Sequence, residues 1–477
     1  MTTGKRDEHS VRLSDITANH IVCMRDPYDT SYVGFDIQDT IQIHEASVSV
    51  IRGFLADRYY AEFGEYPPKR LLDGMAESVM SKCLVAPVDD LAYRVRRADD
   101  GIYYDLGLDD WGSFKLGIDG RMQYLSPSPV YFRRTSGMDK LALPENMSPA
   151  CLLPLLQELA PLHNTDQELL RLGFLLSCLW PEGPYPIMNL YGPPESGKGY
   201  HSRVIRMIVD PVRAPLQGIP HQEQELLLEA SRERLLVLDN VSRLPVWGSN
   251  ALCRISTGTA YRRKRLYTDS AVMTLHVCNP ILVNSVEQVL VAPDLVSRAL
   301  FIDLPPMPDA GRIDENDMLA KVSEALPRIL YALFAIVSNS LNHPPTVTIQ
   351  SRLTPTFRLM TTAEKMLGLD AGTFHRAYNR NRSVGHDVVL AEYAYLSTVR
   401  DLVEDGNGRW EGLAKDLLGT LNTRVKSPLR GENWPTSAFM LTKQLRGMSN
   451  SLADVGFKVE FNVNRMRMGS GIRLSRG

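Results

Sequence analysis

The sequence predicts a mixed α/β protein with a central parallel sheet, an α+β segment before it and a helix–helix–hairpin segment after it. Short apolar strands alternate with helical stretches between residues 146 and 310, which is typical of a parallel sheet. Short alternating runs separated by Asp-Gly turns come earlier and predict a β-meander over about residues 91–125. The last 70 or so residues have helical periodicity followed by strand alternation.

Composition narrows the function classes only partly. The chain has 477 residues, a formal net charge of −2 and 44% hydrophobic residues, which indicates a globular protein of about three domains. A near-neutral total does not indicate a nucleic-acid partner, so that inference depends on local charge. The polar N-terminus lacks the apolar core of a signal peptide, and the apolar run 169–180 contains Arg171, so we expect no membrane partner.

The cysteines indicate a reducing compartment. Six of them are dispersed without a C-x-x-C pair or a His cluster, so neither a zinc site nor a disulfide framework is expected. Dispersed, unpaired cysteines in a chain of this length fit the cytoplasm, where we expect the protein to reside.

We predict four segments. Residues 1–145 form an α+β domain with the meander, residues 146–310 the α/β core, and residues 311–400 a helical lid and connector. Residues 401–477 form a winged helix-turn-helix, in which one helix begins near Pro435 and ends at Gly456.

The stretch YGPPESGKGY, residues 191–200, is called the glycine loop here. It fits the phosphate-binding pattern G-x-x-x-x-G-K, and it lies between a predicted strand and a predicted helix. Backbone N–H groups of such a loop surround phosphates, and the helix N-terminus favours the anion. The alternative is a loop that matches by chance. The predicted ATP-binding residues are Gly192, Pro193, Pro194, Glu195, Ser196, Gly197, Lys198, Gly199 and Tyr200.

Gly199 stands where this pattern usually has a Ser or Thr whose hydroxyl binds Mg²⁺. Nucleotide binding depends mainly on the backbone and on Lys198, both of which remain. We therefore expect binding to be intact and hydrolysis to be slowed but possible, with water replacing the missing ligand.

Asp239 ends a second apolar strand, RLLVLDN, and its carboxylate is the predicted Mg²⁺ ligand. The alternative is an Asp that caps the following turn. Many ATPases with a phosphate-binding loop have a Glu directly after this Asp to activate water, whereas this chain has Asn240. The general base is therefore elsewhere or absent.

Two further residues are candidates for catalysis. Asn284 ends the strand PILVN, predicted to lie between the other two, where its amide could orient the attacking water; the alternative is a turn Asn. Arg298 precedes the strand ALFID, and in a ring it could reach the γ-phosphate of a neighbouring subunit. Its alternative is a surface salt bridge.

Two basic clusters are candidates for DNA contact. YRRKRLY contains Arg262, Arg263, Lys264 and Arg265, which either face DNA on a hairpin or lie in a solvated loop. From Arg424 to Gly477 there are ten Lys/Arg and three Asp/Glu, which favours a DNA-binding winged helix over a protein-binding one. The predicted contacts there are Lys443, Arg446, Arg465 and Arg467.

A third cluster, Asp105, Asp109 and Asp110, could suggest a two-metal site like that of primases. The three aspartates lie in predicted turns, where Asp is favoured for backbone reasons, so we assign them a structural role.

The ordered set NLYGPPESGKG, VDP, LLVLDNVSRLPVW, ALCRISTG, RLYTD, PILVN and DLVSRAL resembles AAA+ ATPases of phages, plasmids and integrated elements. These are described as primase-associated helicases, similar to superfamily 3 and minichromosome-maintenance-like helicases. The resemblance extends to YRVRRADDGIYYDLG and VYFRR upstream and to WPTSAFMLTKQL downstream, and so covers about 80% of the chain. Gly199 and the strongly basic YRRKRLY depart from the family pattern.

The resemblance implies an ATP- and Mg²⁺-dependent homo-oligomeric ring, a hexamer, that acts on DNA in replication, with a primase or another replication protein as a partner. Residue by residue, Gly192, Gly197 and Lys198 match the Walker A loop and Asp239 the Walker B carboxylate. Asn284 matches the sensor-1 position and Arg298 the arginine finger. Two other functions stay open: an ATP-gated DNA-binding initiator or defence factor with weak hydrolysis, and a degenerate structural relative.

Overall fold

The computed structural model describes residues 3–89, 91–264, 272–306, 314–346, 351–427, 430, 433–454, 456–466 and 469–476. None of the helices in these ranges combines the length and the apolar character that a membrane crossing requires.

The N-terminal unit has a core of its own, although the sequence signal in residues 1–45 is weak. Three helices pack on a three-stranded antiparallel sheet of order β1-β2-β3. Val33, Phe35, Ile51 and Leu55 are among the side chains in its core. Its elements are α1 (Thr3–His20), β1 (Ile21–Arg25), β2 (Ser31–Ile37), β3 (Thr40–Glu45), α2 (Val48–Phe63) and α3 (Lys69–Leu84).

The meander lies in the segment where the turn signals predict it. Its four strands are antiparallel and adjacent in chain order. They are β4 (Val95–Ala98), β5 (Gly101–Asp105), β6 (Ser113–Gly117) and β7 (Met122–Leu125).

The core segment alternates helices and strands. Its main sheet has the order β13-β8-β12-β9, with all pairs parallel, and a separate hairpin pairs β10 with β11. The elements are α4 (Leu152–Leu159), α5 (Thr165–Leu179), β8 (Ile187–Tyr191), α6 (Lys198–Val209), α7 (Glu223–Ala230), β9 (Leu236–Leu238), α8 (Val246–Thr257), β10 (Thr259–Lys264), β11 (Val272–Val277), β12 (Ile281–Ser285), α9 (Pro293–Val296) and β13 (Ala299–Asp303).

Helices dominate the next segment, as their periodicity predicts. They are α10 (Glu315–Asn342), α11 (Thr354–Met366) and α12 (Thr373–Glu392). All three pack on α5, which is buried along nearly its whole length.

The predicted boundary at residue 145 does not separate two cores. The meander has one apolar face, and this face packs on α10: the Tyr104 and Phe114 rings lie 4.3 and 5.3 Å from that of Phe334. A fully buried ion pair, Arg94 Nε to Asp210 Oδ1 at 2.8 Å, also joins the two segments. The meander therefore shares a hydrophobic core with α10 and the core segment.

The C-terminal segment also differs from its prediction. The boundary at residue 401 falls inside α13 (Tyr395–Asp405), whose Tyr395 is buried 6.1 Å from the Trp434 ring. The helix expected up to Gly456 is two helices that break at Met448, after Gly447. Its first N-cap is Ser437, whose hydroxyl accepts the Met440 N–H.

The C-terminal sheet has three strands in the order β14-β16-β15, one more than the predicted hairpin. The additional strand β14 pairs antiparallel with β16. The remaining elements are β14 (Arg409–Leu413), α14 (Ala414–Arg424), α15 (Ala438–Gly447), α16 (Ser449–Asp454), β15 (Phe457–Met466) and β16 (Gly469–Arg476).

Candidate functional site

Three predicted parts of the site converge at one edge of the parallel sheet: the glycine loop, Asn284 and Asp239. The glycine loop follows β8, Asn284 lies near the end of β12, and Asp239 directly follows β9. Because these strands are neighbours and parallel, their carboxyl ends meet at the same edge, where open α/β sheets bind ligands.

Two glycines determine the path of the loop. Gly192 has φ 155°, and a Cβ there would lie 2.1 Å from the Leu304 carbonyl oxygen. Gly197 has φ 80° and is the N-cap of α6, without a side chain that caps the first turn. The first N–H groups of α6 therefore remain free of side-chain capping, as an anion site at a helix N-terminus requires.

Lys198 is folded over the loop. Its Nζ donates to the carbonyl oxygens of Gly192 (2.8 Å) and Pro193 (2.6 Å), and lies 3.3 Å from Ser196 Oγ. Partial burial lowers the pKa of Lys198, and the nearby charge of Asp239 opposes that shift. The ammonium group and the carboxylate thus influence each other across the site.

Asp239 and Asn284 form a direct pair. Asn284 Nδ2 donates to Asp239 Oδ1 at 2.6 Å, and Asn284 is only 4% exposed. The backbone fixes both residues, because the Asp239 N–H donates to Gln217 O (2.7 Å) and the Val241 N–H donates to Asn284 O (2.9 Å). The amide of Asn284 therefore orients the carboxylate.

The site fits a nucleotide with Mg²⁺ better than a metal bound by protein alone. Within the described residues, His, Cys, Asp and Glu do not gather in groups of three or more that could hold a metal. Mg²⁺ usually takes one or two carboxylates, several waters and substrate phosphates, so a single Asp239 beside a phosphate-binding loop suits it.

The other loop residues differ in environment. Pro193, Pro194 and Glu195 are exposed along its rim, whereas Ser196 is buried. Tyr200 OH donates to the Leu159 carbonyl oxygen at 2.6 Å, which anchors this ring to α4. A Cβ added at Gly199 would find only Arg203 Nη1 within 4 Å, at 3.6 Å.

Arg298 lies at the opposite edge of the sheet. It precedes β13, and its carbonyl oxygen accepts from the N–H of Ile187, the first residue of β8. Its Nη1 pairs with Asp294 Oδ1 at 2.7 Å, and the residue is 7% exposed. Five strand residues, roughly 16 Å of chain, separate this edge from the loop of the same subunit, so any contact with a γ-phosphate requires a neighbouring subunit.

The basic hairpin also starts at that opposite edge. Arg262, Arg263 and Lys264 lie on β10, where their backbones pair with β11, and Arg265 lies outside the described residues. The hairpin joins β12 through Asn279, whose Nδ2 donates to Glu233 O at 2.7 Å.

In the C-terminal unit, the helix α15 carries both predicted cations. Lys443 and Arg446 line a groove between α15 and the sheet, and the Arg446 guanidinium lies 5.0 Å from the centre of the Phe461 ring. Arg465 lies on β15 with its backbone paired to Ser470, and Arg467 lies outside the described residues.

The aspartate cluster has three separate partners. Asp105 pairs with Arg134 (2.6 Å) and Asp109 with Lys140 (2.6 Å), while Asp110 accepts from Tyr124 OH (2.5 Å). Each carboxylate thus stabilises its own turn or strand end.

One polar contact beneath the loop was missed from the sequence. Asn189, fully buried on β8, donates from Nδ2 to Ser285 Oγ at 2.8 Å and so joins β8 to β12. The available signal was a single Asn in the apolar run IMNLY.

Comparisons with known proteins identify a family. The family model of the actinomycete integrative conjugative element replication protein matches residues 153–388, and that of the AICE RepA C-terminal domain matches residues 396–477. Together they cover about two thirds of the chain. The second match begins one residue after the start of α13. No curated protein matches the chain.

Solved structures resemble the chain only weakly. One apo structure of the NrS-1 C-terminal region is 11% identical and covers 98% of each chain at a TM-score of 0.41. A second, of NrS-1 residues 305–718, is 11% identical and covers 98% of this chain and 99% of its own at a TM-score of 0.40. Likeness at this level carries no functional argument.

Proposed function

The chain belongs to the family of replication proteins of actinomycete integrative conjugative elements, and we propose that it is an ATP-dependent DNA helicase or translocase of such an element. In this proposal it assembles as a hexameric ring of AAA+ subunits and acts on DNA during replication of the element.

The observation that carries the proposal is the convergence of Lys198 with the Asn284–Asp239 pair at the carboxyl edge of the sheet. The free N–H groups of α6 and the Lys198 ammonium would hold the phosphates of ATP. Asp239 would hold Mg²⁺, which neutralises charge on the phosphates, and Asn284 would keep its carboxylate oriented. The strand order β13-β8-β12-β9 is consistent with an AAA+ core.

The positions of the cations support a ring that acts on DNA. Arg298 is remote from the glycine loop of its own subunit, so it would complete the site of a neighbour. The β10–β11 hairpin would follow a DNA strand. The C-terminal unit, whose element order is compatible with a winged helix, would dock on duplex DNA.

An ATPase assay with and without DNA tests the proposal. Wild type should hydrolyse ATP slowly and respond to single- or double-stranded DNA. Lys198→Ala should lose ATP binding and turnover, because the only lysine of the loop is removed. Lys321→Ala, which removes an exposed lysine on α10, is the matched control and should behave as wild type. If Lys198→Ala hydrolyses ATP normally, the proposed site is wrong.

Two local features favour a second candidate, an ATP-gated DNA-binding initiator or defence factor. Gly199 lacks the hydroxyl that would hold Mg²⁺, and the exposed Asn240, at φ 52°, replaces the Glu that activates water. This candidate predicts ATP-dependent assembly on DNA without turnover. Sizing of the protein with ATP and DNA, beside the ATPase assay, separates the two functions.

A further inference from the structure

A cleft of about 490 Å³ lies where the N-terminal unit, the meander and the core segment meet. Each of these three parts contributes to its walls: Tyr32 from β2, Arg97 from β4 and His276 from β11 are examples. Because His276 lies on β11, the second strand of the basic hairpin, the cleft is next to that hairpin.

Six arginines line this cleft, and three of them are committed to protein partners. Arg134 forms a bidentate pair with Asp105, and Arg96 pairs with Asp89 at 2.6 Å. Arg234 donates to backbone carbonyls, including Cys178 O at 2.9 Å. These three guanidinium groups are held by their protein partners, although Arg96 Nε is buried without a hydrogen-bond partner.

The other three arginines have weaker contacts with the protein. Arg97, whose side chain is 42% exposed, lies 5.5 Å from the centre of the Trp180 ring and 3.6 Å from the more exposed Glu182. Arg133 interacts with the Tyr32 hydroxyl but has a buried Nε without a hydrogen-bond partner, and Arg232 is exposed. These three residues are called the arginine triad.

Three further carboxylates line the cleft, and each has a partner. Asp26 accepts the N–H groups of Tyr28 (2.9 Å) and Thr30 (2.8 Å), and Glu233 pairs with Arg206. Glu45 also has a partner. The lining has six arginines and four carboxylates, so its formal charge is positive. A buried guanidinium N–H without an acceptor favours an anion that supplies oxygen atoms.

An aromatic surface lies in the same cleft. The Tyr28 ring stacks on the His276 imidazole with centroids 5.0 Å apart and planes 4° from parallel. Arginines beside aromatic rings are the usual combination for binding single strands, because cations follow the phosphates and bases stack on rings.

We propose that the arginine triad and the Tyr28–His276 stack bind a single DNA strand, through its phosphates and a base. The cleft has the volume of a small-ligand pocket, which suits one or two nucleotides and is far too small for a duplex. The inference rests on the proposed action on DNA and adds a contact that no basic-cluster motif predicted, since the triad is dispersed in sequence.

Binding of fluorescent oligo(dT) to the full-length protein tests the cleft. The assay is made without ATP and in the Lys198→Ala background, so its result does not depend on the ATPase proposal. Arg97→Glu should weaken binding about tenfold and reduce the salt slope by about 0.7, the value for one phosphate contact on a single strand. Arg121→Glu reverses an exposed charge in the same meander, at a side chain 81% exposed, and should bind as the background protein does.

The stack has its own variants. Tyr28→Ala should weaken oligo(dT) binding about tenfold, whereas Tyr28→Phe should retain it because a π face remains. Thermal melting checks that each variant is folded. Unchanged binding by Arg97→Glu and Tyr28→Ala, or equal losses for Arg121→Glu, would overturn the proposal. Complete displacement of the oligonucleotide by millimolar dTMP would also overturn it, since the ligand would then be a free nucleotide.

Discussion

Asn284 donates from Nδ2 to Asp239 Oδ1 across 2.6 Å, at the carboxyl ends of the neighbouring strands β12 and β9. The amide thereby gives the carboxylate one orientation and leaves its other oxygen for a metal. The two residues are 45 positions apart in the chain, and the parallel pairing of their strands brings them together.

Asn284→Ala should leave ATP binding intact and lower turnover by about 10–100-fold, the usual cost of losing a residue that orients a metal ligand. Fluorescent-nucleotide titration and phosphate release measure the two effects. The same change in an Asp239→Asn background should add little, because the pair acts as a unit. Asn342→Ala is the control, since Asn342 donates to Gly117 O far from the site. Additive losses would contradict the pairing.

Gly199→Ser should lower the Mg²⁺ concentration needed for half-maximal turnover and raise turnover itself. The serine fits, because a Cβ at Gly199 meets only Arg203 Nη1, at 3.6 Å. Gly192→Ala is the steric contrast, since its Cβ would meet Leu304 O at 2.1 Å. That variant should lose nucleotide binding. Titration of ATPase activity with Mg²⁺ measures this effect. An unchanged Mg²⁺ concentration at half-maximal turnover for Gly199→Ser would mean that a hydroxyl there does not reach the metal.

His201 should make stability depend on pH. Burial, aided by the charge of Arg171, lowers the pKa of His201 from 6.5 to about 3. Below pH 6.5 the unfolded chain binds a proton that the folded chain does not, so acid favours unfolding down to about pH 3. This single group contributes up to about 1.4 kcal/mol per pH unit.

His201→Gln should therefore flatten the fall of Tm between pH 6.5 and 5. Thermal melting of both proteins across that range measures the difference. His375→Gln, at a partly exposed histidine on α12, is the control and should retain the slope of wild type. A parallel fall of Tm in wild type and His201→Gln would show that His201 is not kept neutral by the fold.

Periodicity and turn chemistry were enough to predict the meander, the parallel strands and most helices, because those signals are local. The domain boundaries could not be predicted in this way, because they depend on contacts between segments that are distant in the sequence. The boundary predicted at residue 145 could not take account of the contact of Tyr104 with Phe334, which connects segments 230 residues apart. Similarly, β14 is a five-residue strand with weak alternation, and its pairing with β16 is visible only in the fold.

In the candidate site, too, local sequence features were predictable and contacts between distant residues were not. The spacing of Gly192, Gly197 and Lys198 predicted the loop, and strand ends predicted Asp239 and Asn284. The sequence could not show that Asn284 donates to Asp239, nor that Arg298 is paired with Asp294. Those contacts depend on strand order and on side-chain orientation.

Arg298→Ala should keep ATP binding and lose turnover in the proposed ring. The residue lies at the sheet edge opposite the loop, so it would reach only the site of a neighbouring subunit. Mixing it with Lys198→Ala should restore part of the activity at shared interfaces. Arg352→Ala is the matched control: Arg352 pairs with the same Asp294 carboxylate at 2.8 Å but is exposed, and its loss should leave turnover unchanged. Normal turnover in Arg298→Ala would remove it from the catalytic site.

The last prediction concerns duplex DNA and the helix α15. Lys443→Ala and Arg446→Ala should each weaken duplex binding and reduce the salt slope by about 0.9, the value for one phosphate contact. Arg446 is already positioned by its stacking on Phe461, so little side-chain entropy is lost when it binds. Arg409→Ala is the control, because Arg409 lies on β14 and is paired with Glu411 at 2.6 Å. Fluorescence anisotropy across a salt series measures both quantities. If neither α15 variant changes duplex affinity, the groove beside α15 serves a protein partner, and the DNA contacts of this chain lie elsewhere.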